Sequence, residues 1–156
     1  MKRILLAAIC AAISVSGGVA LAADDANQKA IKARRGAMQV RSFHAGPLFA
    51  MAKGEMAYDA KLASQLADNL KLEAEMANGR MWPKGSDMGA YKGDTRAKAD
   101  IWASGSMVGD KGKAYKEAVM KLAASAGNGL DALKAGAGDL GNACKGCHDD
   151  YRAKDF

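Results

Sequence analysis

Proline is nearly missing from this chain, with only Pro47 and Pro83 in 156 residues. β-Branched residues are scarce and aromatics amount to 6%, so no run offers the alternation of a half-buried strand. No segment repeats. Charge of one sign never collects into a block: 23 Lys and Arg are scattered among 17 Asp and Glu, which gives a nucleic-acid partner little support. Histidine appears twice and cysteine three times, so any metal or redox chemistry must draw on very few groups. What is abundant is alanine, leucine, methionine and lysine, and that composition reads as helix.

The first 22 residues form a unit of their own. Met1, Lys2 and Arg3 give a positive start, ILLAAICAAISVSGGVA follows without charge, and Ala20 and Ala22 stand at the small-residue positions of a cleavage site. This is the plan of a secretory signal peptide, expected to be removed after Ala22 and to take Cys10 with it. Ser14, Ser16 and two glycines weaken the apolar run, and no positive stop-transfer patch follows, which argues against a membrane anchor. Ile9 stands where a lipoprotein cysteine needs a small residue. Residues 23–156 are expected to form a single domain with no membrane span. Its net charge is about +4 once Lys2 and Arg3 are taken from the +6 of the whole chain. Export places it outside the cytoplasm, where an idle thiol pair would tend to oxidise.

Four helical stretches are expected. The first covers about residues 25–52, with Ile31, Arg34, Met38, Ala45, Leu48 and Ala52 near one stripe and a kink or break at Gly46-Pro47. The second follows Asp59 as its cap, uses Leu62, Leu66 and Leu70 as a spine, and ends at Asn78-Gly79. The third spans about 112–126, with Tyr115, Ala118, Val119, Leu122 and Ala123 on one face. In the fourth, Leu130, Leu133, Ala137, Leu140, Cys144, Cys147 and Tyr151 are spaced alternately three and four apart, an unbroken seam of the kind packed inside a bundle. A segment of about 80–111, with five glycines and both tryptophans, separates the second and third helices. A connection that long is functional or disordered; Trp82 and Trp102 argue for partial order, either as satellite packing or as cover for a cofactor. The pattern predicts an all-α, antiparallel four-helix bundle. Gly136, Gly138, Gly141 and Gly146 each weaken the last helix by about 1 kcal/mol relative to alanine, which close approach of a bulky planar ligand would explain.

The chemistry is concentrated in Cys144-Lys145-Gly146-Cys147-His148. A structural zinc site needs four ligands and would have to recruit His44, at a spacing unlike the usual fingers. A dithiol oxidoreductase carries its Cys-x-x-Cys at the start of a helix that follows a strand, and here the pair lies near the end of the last helix. A nucleophilic cysteine needs a histidine that reaches back to the sulfur, which sequence adjacency does not supply. Covalent haem attachment remains: two thiols three residues apart on a helix can form thioethers with the two vinyl groups of one haem edge, and the next residue, His148, then comes under the iron as an axial ligand.

With CKGCHDDYR at the C-terminal end of a four-helix pattern, the sequence resembles the class II cytochromes c, the cytochrome c′ superfamily. IKARRGAMQV, GPLFAMAKGEMAYD, MWPKGSD and ADIW each resemble family segments in the expected order. The resemblance implies a cytochrome c′-like bundle with one haem c per chain in its interior, held by Cys144 and Cys147. GPLFAMAKGEMAYD is most like the methionine-ligated cytochrome c-556 branch, and Arg34-x-x-x-Met38 matches the spacing that branch uses. The resemblance therefore makes Met38 the expected sixth iron ligand opposite His148, and Arg34 and Arg152 partners of the haem propionates. It implies a periplasmic carrier of single electrons between redox partner proteins, not an enzyme, as monomer or homodimer. The alternative it leaves is a five-coordinate cytochrome c′ with an open distal site that binds NO or CO.

Overall fold

A computed structural model describes residues 25–156; the expected signal peptide lies outside them. Four helices, α1 (Ala26–Lys53), α2 (Ala60–Glu75), α3 (Val108–Ser125) and α4 (Leu130–Tyr151), pack in a closed ring in which each touches its neighbours in sequence and α4 returns to α1. Short connections make α1 and α2, and α3 and α4, antiparallel neighbours. None of the described helices is long and apolar enough to cross a membrane.

Local chemistry sets the boundaries. Asp59 caps α2 with its carboxylate, which accepts the backbone N–H of Leu62 at 2.9 Å. Asp25 does the same for α1 through Gln28 at 2.7 Å. Asp59→Ala is expected to lower stability by about 1 kcal/mol, read as an earlier denaturant midpoint at unchanged slope. Gly54 ends α1 in the left-handed region at φ 78°, and its N–H bonds to Ala50 and Met51 carbonyls, a conformation glycine adopts without Cβ strain.

Three expected boundaries shift. α1 runs through Gly46-Pro47 without a break: proline removes the bond to the carbonyl of Phe43, but Phe43 is exposed, so water can serve that carbonyl, while Leu48 and Met51 bury the opposite side. α3 starts at Val108 rather than near 112, with Asp110 in its first turn favoured by the helix dipole. α2 ends at Glu75, before Asn78-Gly79, because Met76 leaves in an extended conformation and its N–H closes the last turn on Glu73.

The core occupies one end of the bundle. Ala45, Leu48 and Met51 of α1, Ala63, Leu66, Ala67 and Leu70 of α2, Val119 and Leu122 of α3, and Leu133 and Leu140 of α4 form one buried cluster. Gly136 of α4 belongs to this packing: a Cβ there would come within 2.8 Å of Leu122 Cδ1 and 3.4 Å of its Cα. Close approach of α3, rather than of a ligand, explains that glycine. The opposite end is more polar and carries the long connection. There Ala97 and Arg152 form an antiparallel bridge, Lys98 N–H donates to the Tyr151 carbonyl at 3.0 Å, and Ala153 N–H donates to that of Arg96 at 2.8 Å.

Candidate cofactor site

The seam of α4 changes character along its length. Leu133, Ala137 and Leu140 are buried, whereas Cys144, Cys147, His148 and Tyr151 are only half-buried. The helix continues, but its neighbours no longer close over it. Both thiols are free and lie one helical turn apart. Burial pushes both upward from the ordinary thiol range, against the pull of Arg41 and, at Cys147, also of Lys111. Such thiols lack the lowered pKa of a dithiol oxidoreductase. No group of three or more His, Cys, Asp or Glu suited to a metal ion occurs among the described residues. Burial, helped by Arg152, Arg96 and Arg41, lowers the proton affinity of His148, which favours the neutral imidazole whose lone pair can serve a metal. Two unpaired thiols, an imidazole of lowered proton affinity and a half-buried seam fit a planar group clasped along the last two turns of α4.

Facing this stretch is a polar network missed at the sequence level. Arg41 of α1 donates from Nε to Glu73 Oε2 of α2 at 2.7 Å, and its guanidinium lies 4.5 Å from the centroid of the Tyr115 ring of α3. Tyr115 donates its hydroxyl to the same carboxylate oxygen at 3.3 Å. Burial, opposed by Arg41, pushes the Tyr115 phenol well above its usual range. Glu73 is 7% exposed and its Oε1 is buried without a hydrogen-bond partner. The signal was present: Arg41 continues the Ile31, Arg34, Met38 spacing toward Ala45, and Glu73 follows Leu66 and Leu70 at core spacing. A charged residue is seldom buried at a seam position unless it is paired.

Met38, the expected sixth ligand, is half-buried on α1 beside this network, and its sulfur accepts from Arg41 Nη1 at 3.7 Å. Arg34 is 3% exposed, but its guanidinium is turned into the long connection. It donates to Ser86 Oγ at 2.7 Å, to the Ser86 carbonyl, to Thr95 Oγ1 at 2.9 Å and to the Met81 carbonyl at 3.4 Å, and it stacks 5.0 Å from the Trp82 ring centroid. A propionate would have to share a guanidinium already held by these groups. Arg152 is exposed at the end of α4 and takes part in the bridge to Ala97 through its backbone. The connection is ordered around Arg34: Trp102 Nε1–H donates to the Trp82 carbonyl at 3.0 Å, and Ser86 and Thr95 are buried. His44 lies half-buried against Phe43, away from any cluster of metal ligands, with Nδ1 buried and unpaired.

Comparison with known proteins agrees with this geometry. The sequence model of the family described as Cytochrome C' matches residues 29–152. A cytochrome c' of Cereibacter sphaeroides is 40% identical over 154 residues, 99% of each chain. The solved cytochrome c' from Rhodobacter spheriodes superposes with a TM-score of 0.80 at 39% identity, over 85% of this chain and 99% of the other. The nitric oxide complex of a mutant cytochrome c prime from Alcaligenes xylosoxidans superposes with a TM-score of 0.71 at 29% identity, over 85% and 99%. These relatives correct the expected branch: they favour the cytochromes c′ over the methionine-ligated cytochromes c-556. The family binds one covalently attached haem c per chain, its fold is the four-helix bundle found here, and the chain belongs to the cytochrome c′ family.

Proposed function

We propose that the chain is a five-coordinate cytochrome c′ whose distal position takes up small molecules such as NO or CO. Cys144 and Cys147 provide the thioethers, His148 the axial nitrogen, and Met38 stands aside. The observation that carries this is the Met38 sulfur, whose acceptor capacity is turned to Arg41 Nη1; a thioether is a weak acceptor with little to share. The nitric oxide complex of the Alcaligenes xylosoxidans relative supports the same reading. A haem bound here supplies an iron that exchanges single electrons and accepts one axial ligand. The residues around it exclude water on the Leu140 side, lower the proton affinity of His148, and leave the end of α4 near solvent. The signal peptide directs this activity to the periplasm, and the protein is a ligand-binding or electron-carrying haem protein rather than an enzyme. Arg152 is the better placed of the two arginines for a propionate, since its guanidinium lies at the exposed end of α4.

The test is the visible spectrum of the purified protein, ferric and ferrous, with and without CO. A high-spin spectrum that shifts with CO, and is preserved in Met38→Leu, is expected. A low-spin spectrum indifferent to CO, converted to high spin by Met38→Leu, would return Met38 to the iron and the chain to the methionine-ligated electron carriers.

A further inference from the structure

The last four carbonyls of a helix have no partner within it. In α4 they belong to His148, Asp149, Asp150 and Tyr151, the final turn of the helix. The His148 carbonyl accepts the N–H of Arg152 at 3.1 Å. The other three are served by one residue of the long connection. Lys98 donates from Nζ to the Asp150 carbonyl at 2.9 Å and reaches that of Asp149 at 3.5 Å, while its backbone N–H donates to that of Tyr151 at 3.0 Å. Its half-buried ammonium stands at the negative end of the helix dipole. The same turn is fastened from α3. Lys111 Nζ lies 2.9 Å from Asp150 Oδ2. The Tyr151 hydroxyl accepts the N–H of Met107 at 2.8 Å, and Met107 is the cap residue of α3, whose own side chain makes no cap bond. Along α4 the apolar cluster reaches Cys144 and goes no further. Polar bonds from outside the helix therefore hold its final turn.

Resting on the reading above that His148 is the axial ligand, we propose that Lys98 is a positioning residue for it. Capping the end of α4 from the connection, Lys98 holds the turn in which His148 stands and so fixes the direction of the imidazole. The connection thereby becomes a clamp on the turn that carries the ligand.

The experiment compares the holoprotein with its variants in two ways: amide hydrogen exchange, and the iron–histidine stretching band of the ferrous form in resonance Raman scattering. Lys98→Met keeps the backbone bond and removes the ammonium. It is expected to speed exchange at Tyr151, Arg152 and Ala153 about fivefold, the effect of one well-placed charge at a helix end. The iron–histidine band should broaden, because a loosened turn gives the imidazole a spread of orientations. Lys98→Arg, which keeps a cation and its donors, should restore both. Asp59→Ala, which loses a comparable cap at the other end of the bundle, should leave both readouts at the parent level. Should Lys98→Met fail to accumulate as holoprotein, the shorter and uncharged Lys98→Gln takes its place, with the same expectations. Faster exchange with an unchanged band, or parent-like values of both, would overturn the proposal and leave the open-site reading standing. A band broadened as much by Asp59→Ala would do the same, since it would make the effect one of overall stability. A ferrous parent without an iron–histidine band overturns the five-coordinate reading and the proposal together.

Discussion

A Cys144→Ser, Cys147→Ser double variant is expected to leave the denatured polypeptide without colour. The parent should carry its haem through a denaturing gel, detected by haem stain. In the double variant only His148 would hold the group, and that bond is lost when α4 unfolds. Each single variant should keep one thioether and retain stain. The placement of the two sulfurs explains why the whole effect falls on this pair: one helical turn apart, half-buried on the uncovered part of the seam, and unbonded to one another. Colour that survives denaturation in the double variant would exclude thioether attachment at these positions.

Arg34→Leu is expected to produce the largest loss of stability of any substitution outside the core, about 3 kcal/mol or more. The leucine would strand the buried Ser86 carbonyl, at about 1–3 kcal/mol for an unsatisfied group, and would take one partner from the Ser86 and Thr95 hydroxyls, which keep only the Pro83 carbonyl and the Ala97 N–H. It would also lose the stacking of the guanidinium on Trp82. Arg34→Lys should rescue little, since one ammonium cannot reproduce a fork that meets Ser86 and Thr95 together. Denaturant unfolding reads the loss, and protease susceptibility of residues 80–100 should rise with it. A loss below about 1 kcal/mol, typical of an ordinary substitution, would show that the connection is held by other contacts.

The seam of α4 was fully legible, because alternating spacings of three and four leave one solution, and α4 spans Leu130–Tyr151 as that seam requires. Asp59 was legible as a cap for the same local reason. Pro47 misled because the cost of a proline depends on whether its orphaned carbonyl is wet, which sequence alone does not reveal. The start of α3 misled because Gly109 and Gly112 weaken the pattern of its first turns. Within the site, Cys144, Cys147 and His148 stood out as a contiguous motif. Arg41, Glu73 and Tyr115 did not, since they come from three helices and meet only after folding. Arg34 was singled out, but the groups it binds lie 47 to 61 residues away in a segment without periodicity.

The bridge that ties Ala97 to Arg152 bears on the order in which the molecule is assembled. It is reinforced by Arg96, which donates to the Lys154 carbonyl 58 residues away. Closing a loop of that size costs on the order of 3 kcal/mol of chain entropy, more than a few exposed backbone bonds return. The closure becomes favourable only once the connection has docked on Arg34 and α3 has packed against α4. The last turns of α4 are therefore expected to be fastened late, which leaves Cys144 and Cys147 accessible for attachment while the apolar end of the bundle is already forming.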